Sequence, residues 1–325
     1  MMPFDRMSQR ESYDFSLSIL IPVYNDEDVL HALFDRLIKN IEPICAAYEI
    51  VFIDDGSQDR SVDVLRAIRK QNRHIKIVQL TRNFGQVAAI TAGLDHVSND
   101  VVVIMDSDLQ DRPEDIHKLL DAMIKEDVPV AIARWVSRED RFFKIFASRL
   151  FHKVSTRMTP IHHPQGLGMF RVIKKQIVEA LKTHPEKTAS SVSLLYWMGY
   201  DYAVVDLKRD GRYAGVSGYN LKKMFRLGFD RIFSYSLWPI QAASILGGIL
   251  GLLSVILAMI LVFQKLVFTD VMLPGWTSLI VVILFLFGVN FLFLGIIGEY
   301  LGRIFIEAKG RPKYVIGRIY EKGGN

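Results

Sequence analysis

The chain alternates five times between short apolar runs and amphipathic stretches. LSILIPV (17–23) is rich in branched side chains and leads into a helical periodicity over 28–40. YEIVFID (48–54) precedes a second helical stretch ending near Lys70, and HIKIVQL (74–80) precedes a third over 86–97. VVVIM (101–105) precedes a fourth over 113–126, where Pro113 suits a first helical turn. VPVAIA (128–133) is the fifth run. Branched residues fit a pleated surface, and runs without a polar face are strands covered on both sides. The pattern predicts an α/β chain: a Rossmann-like, mostly parallel sheet with helices on both faces.

Two longer runs break that rhythm. Residues 237–263 and 276–298 contain no charge at all. A helix crosses a bilayer in about 20 residues, so both are predicted to span, as a C-terminal hairpin. Half of the 325 residues are hydrophobic and the mean hydropathy is +0.20, the excess lying toward the C-terminus. The net charge of +5 is also uneven: Lys222, Lys223, Arg226 and Arg231 precede the first apolar run, and Arg303, Lys309, Arg311, Lys313, Arg318 and Lys322 follow the second. The loop between them, 265–275, holds one Lys and one Asp. The positive-inside rule then puts both flanks in the cytoplasm. Attraction to anionic lipid explains these basic flanks without nucleic-acid binding. The opening MMPFDRMSQRESYDFS has no apolar core, so it is not a signal peptide. Cys45 is the only cysteine, which excludes an intrachain disulfide and suits a reducing compartment. The expected organisation is a tail (1–15), a catalytic domain (16–212), an amphipathic juxtamembrane segment (213–236), two spans (237–302) and a basic cytoplasmic tail (303–325).

Ligands of such sheets bind beyond the carboxyl ends of the strands. Pro22, Tyr24, Asn25 and Glu27 follow the first strand, and Asp54, Asp55 and Asp59 the second. Arg82, Asn83 and Gly85 follow the third, and Asp106, Asp108 and Gln110 the fourth. Taken singly, DDGS or DxD is an ordinary turn or helix cap. Four clusters on one edge exceed what capping explains. Asp106 and Asp108, at i and i+2, point the same way in an extended segment and repel one another. A divalent cation reverses that sign. Hard oxygen ligands, with Gln110 adding a neutral one, suit Mg²⁺ or Mn²⁺ shared with substrate phosphates.

IPVYNDED, IDDGSQDRS, TRNFGQVAAITAGLDH and MDSDLQDRPED resemble, in order and spacing, the inverting family 2 glycosyltransferases of the GT-A fold. The polyprenyl-phosphate branch is most similar, with its bactoprenol glucosyltransferases, undecaprenyl-phosphate aminoarabinose transferase and dolichol-phosphate mannose synthase. The ending GEYLGRIFIEAKGRPKYVI (298–316) matches bacterial members with two spans. The resemblance implies a nucleotide-sugar donor, UDP-linked, and an undecaprenyl phosphate acceptor at the inner leaflet of a bacterial cytoplasmic membrane. The product is then a lipid-linked sugar for the cell envelope. It implies that Pro22, Tyr24 and Glu27 line the nucleotide pocket, that Asp54 or Asp55 contacts the base, and that Arg82 lies near the diphosphate. Asp106, Asp108 and Gln110 would hold the metal. Arg134, with Lys144 and Ser148 in the amphipathic stretch 138–154, would take the acceptor phosphate, helped by Arg212 and Ser217. A homotetramer occurs among related proteins, although no residue pattern here signals assembly.

Two positions depart from the family. Where its presumed general base is Asp, counting back from Arg171 gives Gln165, which cannot accept a proton. In RYAGVSGY (212–219) Gly218 replaces a Lys expected to bind phosphate. A lipid monophosphate has a second pKa of about 6, so it is ionised at cytoplasmic pH and needs positioning more than deprotonation. The reading is therefore an active transferase. The alternative is a degenerate homologue that binds nucleotide or lipid and supports a partner.

Overall fold

The computed structural model describes residues 12–135, 167–184, 191–208, 236–267 and 275–321. Lys144, Ser148, Gln165, Arg212 and Ser217 lie outside these residues, as do the amphipathic stretches 138–154 and 213–235. The chain divides into two compact units, one comprising 1–152, 161–219 and 311–325, the other 153–160 and 220–310.

The first unit is built on an eight-stranded sheet in the order β7-β5-β6-β4-β1-β2-β3-β8. β1 (Leu17–Val23), β2 (Tyr48–Asp54), β3 (Ile75–Leu80) and β4 (Val101–Ile104) are the first four apolar runs, and they pair in parallel around β1. Every residue of β1 and β4 is buried, which explains why neither shows a polar face. Four helices follow these strands: α1 (Leu30–Ile41), α2 (Ser61–Gln71), α3 (Gln86–His96) and α4 (Ile116–Lys125), the last preceded by a 3₁₀ turn over Pro113–Asp115. α1 buries Leu30, Leu33, Leu37 and Ile41, spaced to make one helical stripe. α3 is made of small residues because it lies close on the sheet: a Cβ on Gly93 would sit 1.9 Å from Leu20 Cδ1.

β5 (Val130–Trp135) is the fifth run, but it does not neighbour β4. The intervening strand is β6 (Leu167–Lys174), antiparallel to both. β6 was not expected, because Gly168, Arg171 and Lys174 interrupt its apolar character. β7 (Tyr202–Leu207) extends the sheet parallel to β5, and β8 (Ile316–Tyr320) closes the other side antiparallel to β3. The stretch expected as a basic tail thus contains a sheet strand. Polar contacts fix it: the Tyr314 hydroxyl donates to Asp95 Oδ2 at 2.6 Å, Lys76 pairs with Glu321 at 3.1 Å, and the Arg66 guanidinium stacks on the Tyr320 ring at 5.3 Å. Five residues with Gly317 and Arg318 inside are too short and too polar to read as a strand from sequence.

Among the described residues the second unit contains two helices, Trp238–Val267 and Trp276–Ala308. They include segments of mean hydropathy 2.1 and 2.9, none of it buried within the protein. Leu252, Phe285 and Phe291 are more than half exposed. Apolar surface in water costs roughly 25 cal/mol per Å², so side chains arrayed this way suit a hydrocarbon medium. Within the unit the Tyr300 hydroxyl donates to the Ser236 carbonyl at 2.6 Å, and Arg303 pairs with Glu299 at 2.8 Å one turn away.

Candidate active site

The loops after β1, β2, β3 and β4 enclose a cleft of about 350 Å³. Pro22, Tyr24 and Asp26 form one wall, Asp55 and Asn83 another, and Gln86, Asp106 and Asp108 a third. Each loop is held by its neighbours through backbone N–H groups. Asn25 adopts a left-handed φ of 55°; its N–H donates to Ser57 Oγ at 3.0 Å, and its Oδ1 accepts from the Gln58 N–H at 2.8 Å. Asp55 accepts the Phe84 and Gly85 N–H groups at 2.7 and 2.8 Å, one on each oxygen, which ties the β2 loop to the β3 loop. Gly56 makes that approach possible. Its φ is +68°, and a Cβ there would meet the Arg82 carbonyl carbon at 2.4 Å.

The acid loop after β4 is constrained in the same way. The Asp106 N–H donates to Asp111 Oδ2 at 3.0 Å, and Gln86 Nε2 donates to Asp106 Oδ1 at 2.6 Å. The Gln110 N–H donates to Asp108 Oδ1 at 3.1 Å. Between them Leu109 has a φ of 61°, unusual for a bulky residue, and is held there by burial of its side chain. Ser107 Oγ donates to Asp26 Oδ2 at 2.6 Å, joining the acid loop to the β1 loop.

Burial raises the Asp26 carboxyl above the ordinary range; Asp108 and Asp59 add to this, while bonds from Ser107 and the Tyr24 N–H oppose it. Burial likewise raises Asp55 against its two N–H bonds and the Arg82 charge. Asp54 is fully buried outside the cleft lining; burial raises it too, Ser57 opposes, and its Oδ2 has no hydrogen-bond partner. A raised folded-state pKa favours the fold below the unfolded carboxylate value of about 3.9, and the contribution is lost as pH rises through the folded value. Asp54→Asn keeps an acceptor for the Ser57 N–H and removes the charge. The variant's melting temperature, relative to the wild type, should therefore rise from pH 4 to pH 8. A difference independent of pH, in thermal unfolding followed across that range, would contradict this.

Of the residues singled out from sequence, Pro22, Tyr24, Asp55, Asp106 and Asp108 meet in the cleft. Arg82 lies beside it, its guanidinium 4.1 Å from the centre of the Phe84 ring. Glu27 accepts the Arg60 N–H at 2.7 Å ahead of α2 and is not part of the lining. Gln110 is buried in the loop's interior. Arg134 forms a two-bond pair with Asp206 of β7, at 2.5 and 2.8 Å. Sequence reading missed Asp26, Gln86 and Ser107. Asp26 was hidden beside Glu27, although alternation from Tyr24 was a usable signal, and Gln86 is the first residue of a helix opened by Gly85.

Among the described residues no three His, Cys, Asp or Glu side chains form a group able to hold an ion alone. Asp106 and Asp108 on one cleft fit a cation that completes its shell with substrate phosphate and water, the habit of Mg²⁺ and Mn²⁺.

Behind this loop lies Arg171 on β6, opposite Ile104, the last residue of β4. It is 1% exposed, and burial pulls its guanidinium below the ordinary range while Tyr196, Asp106 and Asp111 act the other way.

The chain is similar to known proteins along its length. It is 41% identical to an uncharacterized glycosyltransferase of Synechocystis, over 94% of this chain and 95% of that one. It is 33% identical to the bactoprenol glucosyl transferase of Shigella phage SfII, over 92% and 97%. A mannosyltransferase of Pyrobaculum calidifontis, solved with GDP-Man and Mn²⁺, superposes with a TM-score of 0.48 at 20% identity, covering 68% of this chain and 64% of that one. The pattern of Glycosyl transferase family 2 matches residues 18–182, which hold all of β1 but its first residue, the whole of β2 to β6 and every residue that lines the cleft. The chain belongs to glycosyltransferase family 2, a GT-A sheet carrying two apolar helices near its C-terminus.

Proposed function

We propose that the protein transfers a sugar from a nucleotide-sugar, UDP-linked, to the phosphate of undecaprenyl phosphate, with inversion at the anomeric carbon. The observation that carries the reading is the convergence of Asp106 and Asp108 with the β1, β2 and β3 loops on one cleft. The likeness to a bactoprenol glucosyl transferase over nearly the whole of both chains supports the acceptor class.

The nucleotide would lie across the strand ends, against Pro22, Tyr24 and the loop pinned by Asp55. Asp106 and Asp108 would hold a divalent cation, which when bound would supply Lewis-acid stabilisation of the departing diphosphate. Gln86 and the Ser107–Asp26 bond keep both carboxylates in place for it. A phosphate oxygen of the lipid attacks the anomeric carbon, forming a C–O bond as the bond to the diphosphate breaks. The products are a glycosyl phospholipid and the nucleoside diphosphate. The attacking phosphate is already ionised, with a second pKa of about 6, so Gln165 in place of a basic carboxylate is compatible with turnover. Arg134, Lys144, Ser148, Arg212 and Ser217 are the proposed acceptor-phosphate contacts.

The two apolar helices would cross the bacterial cytoplasmic membrane as a hairpin. Support comes from the sheet: β8 follows both helices yet pairs with β3, which precedes them, a topology that a two-helix hairpin accommodates. The basic flanks favour the cytoplasm for that shared side, by the positive-inside rule.

The test is to supply purified protein with a panel of UDP-sugars, Mg²⁺ or Mn²⁺, and undecaprenyl phosphate. The expected products are UDP and a lipid-linked sugar; no product from any donor would favour the degenerate-homologue reading. In the same assay Arg134→Ala should raise the KM for the lipid about tenfold, the scale of one lost charge-assisted hydrogen bond, and leave donor binding unchanged. Equal loss toward both substrates would count against the acceptor role.

A further inference from the structure

Arg171 occupies a place where the sheet asks for an apolar residue. On β6 it alternates with Phe170 and Val172, which face the main core, and it sits between Ile104 of β4 and Ile132 of β5. A leucine or methionine there would be buried without penalty, whereas a guanidinium taken out of water costs several kcal/mol unless anions face it. Its Nε donates to the Met169 carbonyl at 3.0 Å and its Nη2 to the Gly168 carbonyl at 2.5 Å. Two carbonyls orient the group but do not neutralise it. Asp106 follows Ile104 by two residues, so the buried Arg171, paired across the sheet with Ile104, stands beside the start of the acid loop. The groups that act on its charge are Tyr196, Asp106 and Asp111, the last two joined by the Asp106 N–H bond across that loop.

We propose that Arg171 is the resident counter-cation of the acid loop: it balances the carboxylates from inside the sheet and makes tight metal capture depend on the diphosphate that enters with the metal. The proposal rests on the metal reading of Asp106 and Asp108. Asp106 and Asp108 belong to one short loop lining the cleft, and the buried positive charge behind it offsets part of their repulsion. The same charge repels a bare divalent ion. A diphosphate brings enough negative charge to cancel that repulsion, so cation and donor bind better together than either does alone. The role is one of positioning and charge; Arg171 does not line the cleft.

The experiment measures Mn²⁺ binding by electron paramagnetic resonance on the full chain in detergent, with Mn²⁺ alone and with Mn²⁺ plus UDP. The wild type should bind Mn²⁺ weakly alone and at least tenfold more tightly with UDP. Arg171→Met, close in volume, should tighten binding of Mn²⁺ alone several-fold and narrow the difference made by UDP. Arg171→Gln, which retains a donor for the two carbonyls, should do the same, while Arg171→Lys should behave as the wild type. A merely structural arginine would leave affinity for the bare ion unchanged or weaken it, and either result in folded Met and Gln variants overturns the proposal. Should both fail to fold, Asp111→Asn reads the same field from its other partner: Mn²⁺ alone should bind several-fold more weakly, and unchanged affinity overturns the proposal. A wild type that binds no Mn²⁺ even with UDP would instead refute the metal reading itself.

Discussion

Asp108→Asn should reduce sugar transfer by about a thousandfold while leaving the melting temperature within about a degree of the wild type. The size follows from the loss of charge stabilisation where the leaving group develops its charge, an effect of about 10²–10³ for one well-placed group. The stability is spared because Asp108 faces the cleft, and the bond it accepts from the Gln110 N–H is one an asparagine oxygen also accepts. Asp106→Asn makes a useful companion, since Asp106 Oδ1 also accepts from Gln86. It should lose transfer to the same degree, and Gln86→Ala should produce a smaller part of that loss. Steady-state assays at saturating donor, paired with thermal unfolding, check all three. Normal turnover in Asp108→Asn would remove the metal assignment.

The second large effect is expected at Asp55. Asp55→Ala removes two charge-assisted bonds and leaves the Phe84 and Gly85 N–H groups without acceptors. Each such bond is worth about 1.5–3 kcal/mol, but the carboxylate is itself partly desolvated, as its raised pKa shows, and this offsets some of the gain. A net destabilisation of about 3 kcal/mol is expected, together with a rise of at least tenfold in donor KM as the β3 loop leaves the β2 loop. Asp55→Asn, able to accept only one of the two bonds, should fall between. Chemical denaturation and donor titration separate the two consequences. If donor KM stays constant while stability falls, the β3 loop has no part in nucleotide binding.

The half of the fold that carries the cleft was legible because β1 and β4 are buried throughout and β2 and β3 at most of their positions, and strands of that kind read as largely apolar words. The helix pair was legible for a related reason, since each helix holds a stretch of more than 20 residues without a charge. β6, β7 and β8 were not legible. β6 carries Arg171 on a buried face, and no periodicity rule anticipates a cation there. β8 is short, basic and far in sequence from its partner β3. At the site, the residue types at the strand ends were readable, but which member of each cluster turns inward was not. Asp26 and Glu27 look alike as letters, yet Asp26 lines the cleft and Glu27 caps the start of α2. Asp54 and Asp55 divide in the same way, one buried with an unpartnered oxygen and the other bracing two loops. Those choices depend on which backbone N–H groups each loop must satisfy, and that is a property of the assembled loops.

β8 is made last. When the ribosome has finished β1 to β7, the outer N–H and C=O groups of β3 still face water, and they remain so while both apolar helices are synthesised. An unpaired strand of this kind invites mispairing with other chains. Synthesis of the two apolar helices and closure of the sheet are therefore serial steps of biogenesis, with β8 acting as the latch. Any nascent chain stalled before that point displays a raw sheet margin that chaperones and proteases can recognise.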